Sequence, residues 1–292
     1  MPRKKILIII NPMSGRQKKD GLSILFQKHL DKNNFDKEIV FTQYPGHATQ
    51  LAADAVKNKT DIVVVAGGDG SVNETAKALV NTNVALGIVP KGSGNGLANH
   101  LKIPSSTKRS VKIISRMKTD VIDSYMINGK YGFNLSGVGF DARVAYLFNK
   151  NDQRGFWTYL RMILKEYFRY CPKEYTIKSS DGSYKTISLL VSFANSNQFG
   201  NHARIAPRAS LKDGKLDIVM LKKVSPIIAP FMGIAMLLGI IHFFPFVKYL
   251  RCSECKVEVA PDDFLHIDGD PAECPEELHV KVSPLSLKVI VP

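Results

Sequence analysis

Residues 61–74, Asp-Ile-Val-Val-Val-Ala-Gly-Gly-Asp-Gly-Ser-Val-Asn-Glu, decide the fold. The apolar run 61–66 is short and β-branched, which predicts a buried parallel strand, and residues 71–80 predict the helix that leaves it. Three glycines and one carboxylate lie between them. Glycines let backbone N–H groups approach a ligand closely, and a helix N-terminus favours anions, so the loop has phosphate-binding character. Asp69 is the informative residue. A bare carboxylate repels phosphate, so its presence implies a bridging cation, or a hydroxyl to be held or deprotonated.

Two further loops repeat the pattern. Pro90-Lys91-Gly92-Ser93-Gly94-Asn95-Gly96 follows a second apolar strand, 85–89, and leads into a helix. Asn11-Pro12-Met13-Ser14-Gly15 closes the first strand, 5–10. Open α/β sheets bind ligands outside the carboxyl ends of their strands, so three such loops at one edge predict a nucleotide site.

Around these loops, residues 1–124 alternate strands at 5–10, 37–43, 61–66 and 85–89 with helices near 17–32, 46–58, 71–80, 95–101 and 106–117. That alternation predicts an α/β domain built on a doubly wound parallel sheet. Residues 125–284 change character. Asn128-Gly129 and Asp181-Gly182 signal tight hairpins. Strands near 174–179, 185–193, 216–222, 247–251, 255–260, 264–268 and 277–283 predict an antiparallel, β-sandwich-like domain. The run 285–291 is expected to return to the first domain, with the nucleotide cleft between the two.

The chain is basic, with 40 Lys+Arg against 26 Asp+Glu and a formal charge of +14 over 292 residues. Positive excess suits nucleotide phosphates and anionic membrane surfaces. There is no zinc finger, RNP-type aromatic motif or basic tail, so nucleic acid is not an expected partner. The N-terminal apolar run is too short for a signal peptide and ends in Asn-Pro, so it reads as a strand of a cytoplasmic protein. Cys252-Ser253-Glu254-Cys255 lacks a second close pair, and reduced thiols are expected there rather than zinc.

Residues 226–247 (PIIAPFMGIAMLLGIIHFFPFV) are apolar enough to span a bilayer by length. Pro230, Pro245 and His242 interrupt them, and strands flank both ends. A helical excursion that docks on or dips into the bilayer surface is expected, with an ordinary buried helix pair as the alternative. In the helix expected over 155–169, Arg161, Lys165 and Arg169 share one face, and Phe156, Trp157, Tyr159, Met162 and Phe168 supply apolar surface.

The motifs Asn11-Pro12-x-Ser14-Gly15, Thr42 with Gly46-His47-Ala48, residues 67–74, Gly92-Ser93-Gly94-Asn95, Gly137-x-Gly139-Phe140-Asp141-Ala142, Ala206-Pro207-x-Ala209, Asp213-Gly214 and Asp268-Gly269-Asp270 run in order along nearly the whole chain. In this the chain resembles the diacylglycerol-kinase catalytic-domain family, the lipid kinases that include sphingosine and ceramide kinases. The resemblance implies ATP- and Mg²⁺-dependent phosphate transfer to a lipid hydroxyl, and the apolar excursion adds the expectation of a protein peripherally associated with the membrane that holds its substrate. Gly67, Gly68, Gly70, Ser71, Val72 and Asn73 would hold the nucleotide phosphates, with Thr42, Gly92, Ser93 and Asn95 completing the site. Asn11, Ser14 and Arg16 would reach the same phosphates. Lys91 stands where the family more often has an uncharged residue.

In bacterial relatives a Glu of an Asp-Gly-Glu near the C-terminus is the proposed base. Here Asp270 keeps the carboxylate about 1.5 Å further back, the length of one C–C bond. We take Asp270 as base and Asp69 as organiser of Mg²⁺ and the hydroxyl, with Asp69 as the rival base. The resemblance also implies a structural Mg²⁺ on Asp213 with the backbone oxygens of Ser210 and Lys215, against a metal-free Asp-Gly turn. His47 is a nucleotide contact or a helix cap, and His202 and His266 read as structural or exposed. The alternatives are a kinase of a soluble acceptor, of the NAD kinase or phosphofructokinase type, and an inactive lipid- or nucleotide-binding module. The lipid and the oligomeric state stay open.

Overall fold

The computed structural model describes residues 3–14, 19–31, 33–151 and 156–292. They form two compact units, one of Met1–Ile122 with Leu285–Pro292 and one of Asp123–Pro284.

The first unit runs β1 (Lys4–Ile10), α1 (Lys19–His29), β2 (Phe35–Phe41), α2 (His47–Lys57), β3 (Ile62–Gly67), α3 (Asp69–Leu79), β4 (Ala85–Pro90), α4 (Gly96–His100) and α5 (Thr107–Ser115). Its sheet is parallel in the order β2-β1-β3-β4. β1 from Ile6 onward and all of β3 are buried on both faces, which is why they read as continuous apolar runs rather than alternating ones. On one face Ile6, Ile8, Ile10 and Val64 pack against Leu22 and Phe26 of α1 and Val111 and Ile114 of α5. The edge strand β2 is the least buried, and its sequence is correspondingly mixed.

The second unit contributes β5 (Thr119–Ile127, begun in the first unit), β6 (Lys130–Gly132), β7 (Leu135–Gly139), α6 (Phe140–Asn149), α7 (Phe156–Arg169), β8 (Lys173–Ser179), β9 (Gly182–Ser188), β10 (Leu190–Ala194), β11 (Leu216–Leu221), α8 (Ala229–Leu238), β12 (Val247–Cys252), β13 (Glu254–Glu258), β14 (Leu265–Ile267), β15 (Asp270–Ala272) and β16 (Glu277–Ile290). One antiparallel layer has the order β16-β13-β8-β9, with β5 against β16. The other has the order β12-β11-β10-β7-β14-β15. Tyr125, Tyr175, Val257 and Val280 of the first meet Val138, Val191, Phe193 and Ile218 of the second in one core, where Cys252 and Cys255 pack as free thiols.

Several elements differ from the sequence expectation. The strand expected over 185–193 is two strands in different layers. Leu189 marks the crossing, its amide donating to Leu221 O and its carbonyl accepting from Phe140 N. The runs 277–283 and 285–291 are one strand, β16, whose last residues pair with β4 through Val289 and Leu86. In the apolar segment 226–247, α8 spans only ten residues and stops at Gly239, which takes a left-handed φ of 74°. No helix among the described residues is long and apolar enough to cross a membrane.

Candidate active site

The parallel sheet brings the ends of β1, β3 and β4 side by side. Asn11 N donates to Ala66 O (3.0 Å), Lys91 N to Gly67 O (2.8 Å) and Thr42 N to Ile10 O (2.9 Å), so each loop leaves its strand beside the next. Asn11 Nδ2 then donates to Ser71 Oγ (2.9 Å), joining the first loop to α3, and Ser14 N returns to Asn11 O (3.2 Å). Arg16, with Gly15, lies outside the described residues.

The glycines are required where the second and third loops touch. A Cβ on Gly92 would sit 2.7 Å from Gly68 Cα, and one on Gly67 would sit 2.5 Å from Ser71 Cβ. Asn95, in the left-handed region at φ 54°, closes the third loop on itself. Its Oδ1 accepts from Gly92 N (3.0 Å) and its Nδ2 donates to Gly92 O (2.7 Å). The first intrahelical bond of α3 is Val72 N to Gly68 O, so the amides of Asp69, Gly70 and Ser71 form the positive end of that helix. Val72 and Asn73 are buried at 7% and 3%, on the inward side of α3, while Ser93 is exposed at the loop tip.

Asp69 has a role that sequence reasoning missed. Its Oδ2 accepts from Asn95 N (2.7 Å) and its Oδ1 from Gly96 N (2.8 Å), so the carboxylate of the β3 loop caps the first turn of α4. The two glycine loops are thereby one hydrogen-bonded body. Lys91 is tied into the fold: its ammonium donates to Thr107 Oγ1 at the start of α5, and burial lowers its pKa. His47 accepts from Gln43 N at Nδ1 (3.1 Å) and stacks on Tyr44 at 4.6 Å, closing the β2–α2 loop.

In the second unit Asp270 follows a two-residue turn, Asp268-Gly269, with φ of 52° and 93°, across which Ile267 pairs with Asp270. Two left-handed residues in succession define the hairpin geometry that Asp-Gly favours. Asp270 is exposed, whereas Asp268 is buried and structural. The Asp268 carboxylate accepts from Phe133 N (2.8 Å), Asn134 N (2.9 Å) and the Tyr125 hydroxyl (3.2 Å). Burial, and then the Asp268 charge, push Tyr125 well above the usual phenol pKa, so it stays a donor.

The residues expected to hold a structural cation, Ser210, Asp213 and Lys215, share one loop. Asp213 carries an ion pair with Arg251 and accepts from Lys215 N (3.2 Å), and Ser210 Oγ accepts from Lys212 N (3.3 Å). Any cation bound at Asp213 would share its carboxylate with the Arg251 guanidinium. Burial raises the pKa of Asp217 beside it, partly offset by Arg251 at 3.4 Å.

The apolar excursion is neither a span nor a buried pair. α8 buries Met232 and Ala235, while Phe231, Ile234, Leu237 and Leu238 are exposed, as are Ile227 before it and Phe243 after it. α7 also corrects the expected division of faces. Tyr159 and Met162 pack inward, but Trp157, Leu164 and Phe168 are exposed beside Arg161, Lys165 and Arg169.

Comparison with known proteins bears on the family and the fold. The family described as diacylglycerol kinase catalytic domain matches residues 5–127, and the YegS C-terminal NAD kinase beta sandwich-like domain matches residues 135–291. A diacylglycerol kinase of Bacillus subtilis (strain 168) is 28% identical over 91% of this chain and 90% of its own length. One of Mycobacterium tuberculosis (strain ATCC 25618 / H37Rv) is 28% identical over 99% and 95%. Among solved structures, a diacylglycerol kinase from Bacillus anthracis str. Sterne superposes with a TM-score of 0.75 at 19% identity, covering 99% of this chain and 97% of that one. An NAD kinase from Archaeoglobus fulgidus in complex with ATP shares the fold at a TM-score of 0.56 and 10% identity, covering 98% and 93%. Two matched domains that together cover most of the chain, and relatives similar from end to end, place the protein in the diacylglycerol-kinase catalytic-domain family of lipid kinases.

Proposed function

We propose that the protein transfers the γ-phosphate of ATP to a hydroxyl of a diacylglycerol-like or sphingoid lipid at a membrane surface. The observation that carries the nucleotide half is the Asp69 bridge, which joins two glycine loops and a helix N-terminus into one anion-binding edge. Phosphoryl transfer asks mainly for positioning and charge neutralisation. The amides of 68–71, 93 and 94, with Asn11, Ser71 and Thr42, would hold the triphosphate, and Ser14, Gly92, Ser93 and Asn95 would border it, the Gly92 and Asn95 amides being spent on holding the loop closed. Mg²⁺, when bound with the nucleotide, would supply neutralisation of the charge on the phosphates. Asp69 orients that end of the site, and Asp270 takes the proton of the attacking hydroxyl.

The lipid half rests on α7 and α8. A helix that is apolar all round belongs in a core or in lipid, and α8 leaves most of its apolar side chains outside the core. On α7, the exposed Trp157, Leu164 and Phe168 are accompanied by three exposed cations, a composition suited to the headgroup boundary of an anionic bilayer. An acceptor that is soluble in water leaves these exposed apolar side chains unexplained, which disfavours the NAD kinase and phosphofructokinase reading.

The test is incubation of the protein with labelled ATP, Mg²⁺ and a total lipid extract, followed by identification of the labelled species. A phosphorylated lipid is expected, and Asp270→Asn is expected to abolish it while ATP still binds. Labelling of water-soluble metabolites alone, or normal turnover by D270N, would refute the reading.

A further inference from the structure

His266 lies on β14, four residues before Asp270, and is 3% exposed. Its Nδ1 accepts from Gly269 N at 3.1 Å. In a two-residue hairpin the amide of the second loop residue has no ladder partner, so this imidazole supplies the missing acceptor. A ring nitrogen that accepts carries no proton, which places the proton of the neutral ring on Nε2. Nε2 faces Asp141 Oδ2 at 3.2 Å and donates to it.

Asp141 is held in turn. Its Oδ1 accepts from Ala142 N (2.9 Å) in the first turn of α6, where negative charge is favoured, and its Oδ2 also accepts from Ser192 Oγ on β10 (3.3 Å). A Cβ on Gly137 would come within 2.9 Å of the same Oδ2, so β7 carries glycine at that point. A space-filling aromatic side chain at 266 would need neither polar contact. The string runs from α6 through Asp141 and His266 to the amide that immediately precedes Asp270.

We propose that His266, with its tautomer fixed by Asp141, is a positioning residue for Asp270. It pins the Gly269 amide, so that the carboxylate emerging one residue later is aimed at the acceptor hydroxyl. The inference rests on the general-base reading of Asp270.

Three near-isosteric variants separate positioning from packing. His266→Asn keeps an acceptor near the Nδ1 position for Gly269. His266→Gln keeps a donor for Asp141 but loses that acceptor. In Asp141→Asn the Ala142 amide retains the remaining oxygen, so the new amide faces Nε2, drives the ring proton to Nδ1 and sets it against the Gly269 N–H. Turnover of the full chain on the total lipid extract is measured together with KM for ATP and thermal midpoint. H266Q and D141N are expected to lose about 10–100-fold in kcat with KM for ATP unchanged, and H266N to stay within about threefold of the parent, because a displacement of about 1 Å is enough to cost that much. Should H266Q fail to fold, D141N, which changes no volume, carries the comparison. Equal kcat in all three variants, or H266N as impaired as H266Q, overturns the proposal. If D270N is dead while H266Q and D141N match the parent, only the His266 role falls. If D270N turns over normally, the base reading falls and the proposal with it.

Discussion

Replacing Asp69 with Asn tests whether this carboxylate acts as scaffold or only in chemistry. The native oxygens accept from two backbone amides, at 2.7 and 2.8 Å. In the variant one oxygen becomes an NH₂ group facing a backbone N–H, and the surviving bond loses its charge. A hydrogen bond to a charged group contributes about 1.5–3 kcal/mol and a neutral one about 1 kcal/mol, so replacing two of the first by one of the second loses about 2–5 kcal/mol. For a chain of this size, about 3 °C per kcal/mol converts that to a fall of roughly 6–15 °C in thermal midpoint. The third glycine loop also loses its anchor, and ATP affinity is expected to weaken about 10–100-fold. Thermal unfolding without ligand, and calorimetric titration with ATP without acceptor, read both effects with no chemical step involved. A residue serving only as base or metal organiser leaves the unliganded protein as stable as before, or more so. An unchanged midpoint and unchanged ATP affinity, combined with lost turnover, would therefore refute the scaffolding role.

Gly92→Ala places a methyl group 2.7 Å from Gly68 Cα, closer than real Cβ contacts allow, so the two loops must part. The expected cost is about 1–3 kcal/mol in stability, with weaker ATP binding by calorimetry; parent-like values would contradict the contact. Asp61 bonds Lys4 Nζ (2.7 Å) and Lys5 N (2.9 Å); burial alone would raise its pKa, but these partners outweigh it and hold the carboxyl below its usual range. A depressed acid stabilises the fold above its unfolded pKa of about 3.9, and that contribution disappears as pH falls through the folded value. Asp61→Asn should thus lower the urea midpoint at neutral pH and leave it unchanged in strong acid; an equal loss at both pH values would count against the linkage. Phe231→Ser combined with Leu238→Ser should weaken binding to anionic vesicles about 10–100-fold without lowering the thermal midpoint, since each large apolar side chain contributes up to about 1.5–3 kcal/mol when buried. Binding through α7 should also fall as salt rises, and vesicle affinity indifferent to both changes would remove the docking face.

What could be read from the sequence, and what could not, follows from the range of the interactions. The strands β1, β3 and β4 and the loops after them were legible because a strand buried on both faces writes itself as a continuous apolar run, here followed each time by a polar loop containing glycine. The break at Leu189 was not, because both halves are strand-like and only the pairing with Leu221 and Phe140 separates them. The Asp69–Asn95 and Asp141–His266 contacts join residues 26 and 125 positions apart, and neither leaves a local pattern. Reading His266 as a merely structural side chain missed that its two nitrogens face different partners. On α7, helical spacing identified the basic stripe correctly but could not say that Trp157 and Phe168 lie outside the core beside it, since an aromatic residue at that spacing serves a core or an interface equally well.

The exposed side of α8 carries a kinetic corollary for an enzyme of this kind. Once such a helix is seated, encounters with acceptor molecules occur by lateral diffusion in a plane, so the rate follows the mole fraction of acceptor among its neighbours rather than its amount per litre. Diluting the acceptor with inert phospholipid should then slow turnover at constant total acceptor, whereas adding more vesicles of the same composition should not.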